Sequence, residues 1–211
     1  MKTYLLLITL FLSGCLLAQS DKDAEKLLES VVNKTSSYKN FKAELAYTMV
    51  NKEMNIDEKK QGVIFLAGDS YRIEMEGQVI ISDGKTVWTY LKDSDEVMIS
   101  AMEDNEESVS PTKILTTYNK DFKAKFSSDP KYKNSDLKMI DLKPNDGNQF
   151  ENMSILVNQK NLSLESFSLM DKNGNIFTYH IISLTPNITL AANAFSFNPA
   201  DYPGVEVIDM R

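Results

Sequence analysis

The chain has 211 residues, enough for one domain or at most two small ones, and its 42% hydrophobic and 25% charged content is that of a folding globular chain rather than a disordered one. Net charge is −7 and the Lys and Arg residues are scattered, which argues against nucleic acid or an anionic membrane surface as partner. One cysteine, Cys15, excludes an intrachain disulfide and a thiolate metal cage.

The N-terminus reads as a secretion leader. Lys2 supplies the positive region and Tyr4 to Leu12 an apolar run too short to span a bilayer. Two processing routes are open. Leu12-Ser13-Gly14-Cys15 resembles a lipobox, which would lipidate and tether Cys15, whereas Leu16-Leu17-Ala18 before Gln19 suits ordinary signal peptidase. The expected division is a signal peptide over 1–18 and one domain over 19–211.

Asp21 to Tyr38 predicts an amphipathic helix. Ala24, Leu27, Leu28, Val31 and Val32 recur at the spacing of one helical face, and Asp21, Asp23 and Glu25 fall in its expected first turn, where the helix dipole favours acids. Thr35-Ser36-Ser37 weakens the helix and ends it. Phe41, Ala43, Leu45, Tyr47 and Met49 then alternate with polar residues, the pattern of a half-buried strand. Asn51 to Lys60 reads as a polar turn region. Strands follow at Gly62–Ala67 and Ser70–Glu76, joined at Gly68-Asp69, with Tyr71, Ile73 and Met75 on one face.

The stretch from Gln78 to Leu91 predicts a β-hairpin. Val79-Ile80-Ile81 and the alternating Thr86 to Leu91 flank Ser82-Asp83-Gly84-Lys85, and an Asp-Gly pair between strands is a tight-turn signal. Both faces carry apolar groups, so one can meet a helix layer or a cavity. Glu96–Met102 is another strand, Glu103–Glu107 an acidic loop, and Ser110-Pro111 starts a short helix whose apolar side is Ile114, Leu115 and Tyr118, suited to a lid. Strands return after Asp121, at Leu137–Leu142, Phe150–Val157, Leu162–Met170 and Ile176–Leu184, with turns at Pro144–Asn148 and Asp171–Asn175. About ten strands with few helices predict an α+β chain that is mainly antiparallel β: a curled, open β-barrel covered by short helices.

The inventory of reactive groups predicts no enzyme. His180 is the single histidine, so neither a zinc site nor a Ser-His-Asp or Cys-His set can be assembled. Asp171-Lys172-Asn173-Gly174-Asn175 resembles the start of a calcium loop, but Ile182 stands where the closing Glu belongs. Asp104, Glu106 and Glu107 read as a solvated loop. No cofactor or metal is expected. The ten methionines and many aromatics instead supply adaptable apolar surface.

Three stretches carry a resemblance. The helix, Ser82-Asp83-Gly84-Lys85-Thr86-Val87-Trp88-Thr89-Tyr90, and the Phe195-Ser196-Phe197-Asn198-Pro199 ending are similar to the LolA family, periplasmic carriers of outer-membrane lipoproteins. The chain departs from the family at Ala67-Gly68-Asp69, where the family commonly has a basic residue followed by Pro. The resemblance implies a monomeric periplasmic carrier that hides lipoprotein acyl chains in an apolar cavity, is loaded by an inner-membrane LolCDE-type ABC transporter, and unloads to an outer-membrane acceptor. Alternation parity puts Leu28, Val32, Leu45, Tyr47, Met49, Phe65, Tyr71, Ile73, Met75, Ile80, Trp88 and Tyr90 on the cavity face, with Ile114 and Leu115 from the lid. Two alternatives stay open: a tethered LolB-like acceptor if Cys15 is lipidated, and a non-enzymatic periplasmic sensor or interaction domain.

Overall fold

The computed structural model describes residues 12–102, 122–144 and 150–211, with side chains from residue 21 onward. The expected lid helix with Ile114 and Leu115, the expected acidic loop at Glu103–Glu107, most of the expected Pro144–Asn148 turn and most of the expected leader lie outside the described residues. Helix α1 (Leu12–Ser36) comes first. Strands β1 (Phe41–Asn51), β2 (Ile56–Ala67), β3 (Ser70–Met75), β4 (Gln78–Ser82), β5 (Thr86–Leu91) and β6 (Glu96–Ala101) follow. The second half holds β7 (Phe122–Phe126), a short helix α2 (Pro130–Lys133), β8 (Leu137–Pro144), β9 (Phe150–Asn158), β10 (Ser163–Asp171), β11 (Ile176–Pro186), a 3-10 turn at Pro199–Asp201 and β12 (Glu206–Asp209).

The twelve strands form one curled, open sheet in the order β12-β6-β5-β4-β3-β2-β1-β11-β10-β9-β8-β7. Two antiparallel meanders, β1 to β6 and β7 to β11, meet where β1 pairs with β11. Two strands go beyond the ten predicted: β7, and β12, which pairs parallel to β6. A further correction concerns β2, which begins at Ile56 and pairs along all of β1, so the polar stretch 56–60 is strand and not turn. Its alternation is masked because this end of the hairpin carries charges on both faces.

Helix α1 already runs through Leu12, the first described residue, so Asp21, Asp23 and Glu25 stand well inside it rather than in its first turn. At the other end, Lys34 occupies the last turn, where a cation complements the dipole. The Thr35 hydroxyl donates to the Val31 carbonyl at 3.0 Å, and the helix stops at Ser36. The predicted turns form as side-chain-stabilised loops. Asp83 Oδ1 accepts the backbone N–H groups of Lys85 (2.9 Å) and Thr86 (2.8 Å), while Gly84 takes φ +89°, which only glycine adopts without strain. At the β10–β11 turn, the Asp171 carboxylate accepts the N–H groups of Asn173 and Asn175 and the Asn175 amide. Burial alone would raise the Asp171 pKa, but these bonds outweigh it and hold the carboxyl below its usual value. Buried Asn51 ties the β1–β2 end to this turn, donating to Asn175 Oδ1 at 2.8 Å and to the Asn173 carbonyl at 3.1 Å.

The main core forms where α1 lies against β7 to β10. Ala24, Leu28 and Val31 pack on Ala124, Ile140, Leu142, Met153, Ile155 and Val157. Removing each large aliphatic side chain of this set from water contributes about 1.5–3 kcal/mol. A smaller cluster, Phe41, Ala43, Ile64 and Leu66, lies beside the helix end on β1 and β2. Helix α1 therefore covers one half of the sheet's concave face and leaves the half built by β1 to β5 without a filling helix among the described residues.

Candidate functional site

That uncovered half is a hollow of about 610 Å³. Its walls are alternate residues of successive strands: Phe41, Ala43, Leu45 and Tyr47 from β1; Lys60, Gly62 and Ile64 from β2; Tyr71, Ile73 and Met75 from β3; Gln78 and Ile80 from β4; Val87 and Thr89 from β5. The far wall comes from Leu162, Leu164, Phe167 and Leu169 and from Phe177, Tyr179, Ile181, Leu184 and Pro186, with Phe150 from β9. The end of α1 closes it with Lys34, Thr35 and Tyr38.

Two bulges shape the far wall. The β1–β11 register steps from Glu44 opposite Ser183 to Leu45 opposite Ile181, leaving Ile182 unpaired, and the β9–β10 register skips Glu165 in the same way. A bulged residue reverses the side-chain parity beyond it. Ile181 and Leu184 therefore face the same side although three residues apart, as do Leu164 and Phe167, and Ile182 is 57% exposed. Phe167 thus shares a face with Leu162 and Leu164, where strict alternation along the strand would put it opposite them.

Inside the hollow Phe167 stacks on Tyr179 with ring centroids 4.6 Å apart, and Tyr47 tilts against Tyr179 at 5.1 Å. Burial, and then the nearby Tyr47, push the Tyr179 phenol up to about 12, so it stays protonated at neutral pH. Burial followed by the Glu58 charge raises Tyr47. Burial also raises Tyr71, against the opposing effect of its hydrogen bond with Ser82. The hollow therefore offers apolar walls and neutral phenols. Among the described residues, no group of three or more His, Cys, Asp or Glu side chains could hold a metal ion. His180 points away from the hollow, exposed beside Ala46 and Ser166.

Six of the residues expected at the cavity line this hollow: Leu45, Tyr47, Tyr71, Ile73, Met75 and Ile80. Six others stand elsewhere. Leu28 is consumed by the core under α1, and Val32 packs against that core, because the helix stripe is spent on β7 to β10. Met49 lies one step beyond the lining, between Glu58 and Phe177. Phe65 is on the outer face: directly paired residues share a face, and Phe65 pairs with Lys42 and Arg72 while its neighbour Ile64 pairs with Ala43 and Ile73. The same rule corrects the hairpin. Ile80 pairs with Thr89 and Ile81 with Trp88, so Val87 and Thr89 face inward and Trp88 and Tyr90 outward. The outer face is apolar as well, because the C-terminal segment covers it: Tyr202 packs on Tyr90, Phe197 stacks on Tyr202 at 5.0 Å, and Arg72 is hydrogen-bonded to both Glu74 and Tyr202. Sequence reasoning missed the whole β10–β11 wall. The signal available for it was the run of aromatics, Phe167, Phe177 and Tyr179, at matching offsets from the Asp171–Asn175 turn.

The model of the outer membrane lipoprotein carrier protein LolA family matches residues 36–198. The chain belongs to the LolA family. The match starts at the last residue of α1 and ends before the 3-10 turn, so it takes in eleven of the twelve strands and every strand that lines the hollow. Solved structures resemble the chain at low identity. An uncharacterised conserved protein from Thermus thermophilus is 12% identical with a TM-score of 0.54, covering 86% of this chain and 96% of that one. A putative outer membrane lipoprotein-sorting protein domain from Vibrio parahaemolyticus is 9% identical with a TM-score of 0.50, covering 83% and 97%. A LolA superfamily protein from Nitrosomonas europaea is 10% identical with a TM-score of 0.46, covering 82% and 97%. No curated protein matches the sequence.

Proposed function

We propose that this LolA-family chain is a periplasmic carrier that holds the acyl chains of lipoproteins in the hollow over β1 to β5 and moves them between membranes without bond chemistry. The observation that carries this reading is the unfilled apolar half of the concave face, about 610 Å³, within the ~300–1,000 Å³ range of ligand pockets. An acyl chain of about fourteen methylenes costs on the order of 11 kcal/mol to keep in water, so an aqueous carrier must enclose it. Loading from an inner-membrane LolCDE-type ABC transporter and unloading to an outer-membrane acceptor belong to the same proposal. Release then requires only a receptor with a more favourable apolar site.

The test is to purify the protein from its own cell envelope, extract with organic solvent and identify what comes out by mass spectrometry. Acylated protein or lipid at near-stoichiometric yield supports the carrier. Empty protein from every growth condition, together with failure to take up a synthetic lipopeptide, removes it. The lipobox-like Leu12-Ser13-Gly14-Cys15 supports a second reading, a tethered acceptor of the same fold. The mass of the mature N-terminus separates the two: acylated Cys15 for the acceptor, free Gln19 for the shuttle.

A further inference from the structure

Polar groups line the hollow at both ends of β1. At the helix end three of them are spent on the protein. Lys34 donates to the Asn161 carbonyl, Thr35 to the Val31 carbonyl, and Tyr71 is bonded to Ser82. At the opposite end the register sets Lys60, Tyr47 and Tyr179 side by side across β2, β1 and β11. Among the described residues neither phenol hydroxyl takes a hydrogen bond, and the Lys60 ammonium has only Glu58, at 4.0 Å. Lys60 is also 43% exposed, so this row borders the solvent where Ala43, 2% exposed, does not. It stands beyond the end of β3, whose last residue Met75 pairs with Gly62, so among the described residues no strand screens Lys60 on that side.

An apolar slot with uncommitted donors at its wet end matches an amphiphile that enters tail first and leaves acceptors at the mouth. We infer that the Lys60–Tyr47–Tyr179 row binds the ester carbonyl oxygens at the head of the acyl chains, making the hollow selective for ester-linked acyl groups over plain hydrocarbon. The inference rests on the carrier reading above and adds to it an orientation: chain ends toward Phe41 and Tyr38, head group toward Lys60. Phenols suit the task because they stay neutral donors at physiological pH and cost the apolar wall no charge. The ammonium, more exposed, reaches whichever carbonyl lies nearer the solvent.

The experiment compares two probes that differ only in the carbonyls. One is a short peptide whose N-terminal cysteine carries a dipalmitoylglyceryl thioether; the other is its dihexadecyl ether analogue. The wild-type protein is expected to bind the ester about tenfold more tightly, the effect of one to two net hydrogen bonds. In the Tyr47→Phe/Tyr179→Phe double variant, which keeps Lys60, the ratio is expected to fall about three- to fivefold, with the loss falling on the ester rather than the ether. Equal binding of both probes by the wild type overturns the inference and leaves the carrier reading standing, as does a double variant that keeps the full preference. Failure of the wild type to bind either probe overturns both.

Discussion

The rings of Tyr90 and Tyr202 stand 4.7 Å apart with their planes tilted by 58°, joining the central hairpin to the C-terminal segment on the convex side of the sheet. Phe197 extends the contact, and Arg72 anchors it through Tyr202. This is why Val79, Ile81 and Val97, which face outward, are nonetheless buried. Tyr202→Ala should lower stability by about 1–3 kcal/mol, since it removes a half-buried ring and its aromatic partner contacts. Ligand uptake at 25 °C should not change, because the hollow is on the other face. Urea melts with and without the substitution measure the first, and lipopeptide titration the second; a binding defect in the folded variant would contradict the two-sided description.

Ile73 and Leu28 provide a matched pair. Both were expected in the cavity, but Ile73 lines the hollow and Leu28 fills the core under α1. Ile73→Glu places a carboxylate among apolar walls, so lipoprotein pull-down should be abolished while circular dichroism stays native; Met75→Glu should behave alike. Leu28→Ala should lose about 2–5 kcal/mol of stability and keep pull-down at temperatures where it remains folded. Identical binding losses in the two would show that core and hollow are one unit.

Gly62 is a point of close approach in the hollow wall. A Cβ there would lie 2.7 Å from Met75 Cγ and 2.9 Å from the Glu74 carbonyl oxygen. The methionine can swing aside, but the carbonyl belongs to the paired strand and cannot move without loosening β2 from β3. Gly62→Ala is therefore expected to cost about 1–3 kcal/mol, and Gly62→Val more, with amide exchange rising locally at Val63 and Glu74. An unperturbed melting temperature for both would argue that the strands separate freely here.

Tyr179 gives a pH dependence with a defined direction. Its phenol is held near 12 in the folded protein against 10.0 ordinarily, because the hollow disfavours the phenolate. The unfolded chain thus releases this proton first, so the contribution is complete below pH 10 and disappears as the pH climbs toward 12. Stability should fall by on the order of 2–3 kcal/mol across that window, and Tyr179→Phe should flatten the decline. Ultraviolet titration checks it directly: a full complement of phenolates by about pH 11.5 without unfolding would refute the placement.

Much of the architecture was readable from alternation and turn chemistry. The hairpin around Gly84, the β1 to β6 meander and the open curled sheet all follow from period-two patterns and Asp-Gly or Gly-Asp turns. The site was only half readable, for three physical reasons. On β4 and β5 both faces are apolar, one for the hollow and one for the C-terminal cover, so Trp88 and Val87 could not be ranked by hydrophobicity. On β10 and β11 the bulges at Glu165 and Ile182 break the parity on which such readings rest. Leu28 and Val32 failed because a helical stripe announces burial without naming its partner, and here the partner is β7 to β10 rather than a ligand.

The seam between β1 and β11 also has a kinetic consequence. Every other antiparallel pair joins strands that follow one another along the chain, whereas Phe41 meets Pro186 only after nearly the whole polypeptide has been made. Each meander can zip locally, but closing the largest loop in the molecule is deferred to the end and should limit the rate of folding. Until that junction forms, two unpaired strand edges are exposed together, and the nascent chain passes through its most aggregation-prone moment just before the hollow is complete.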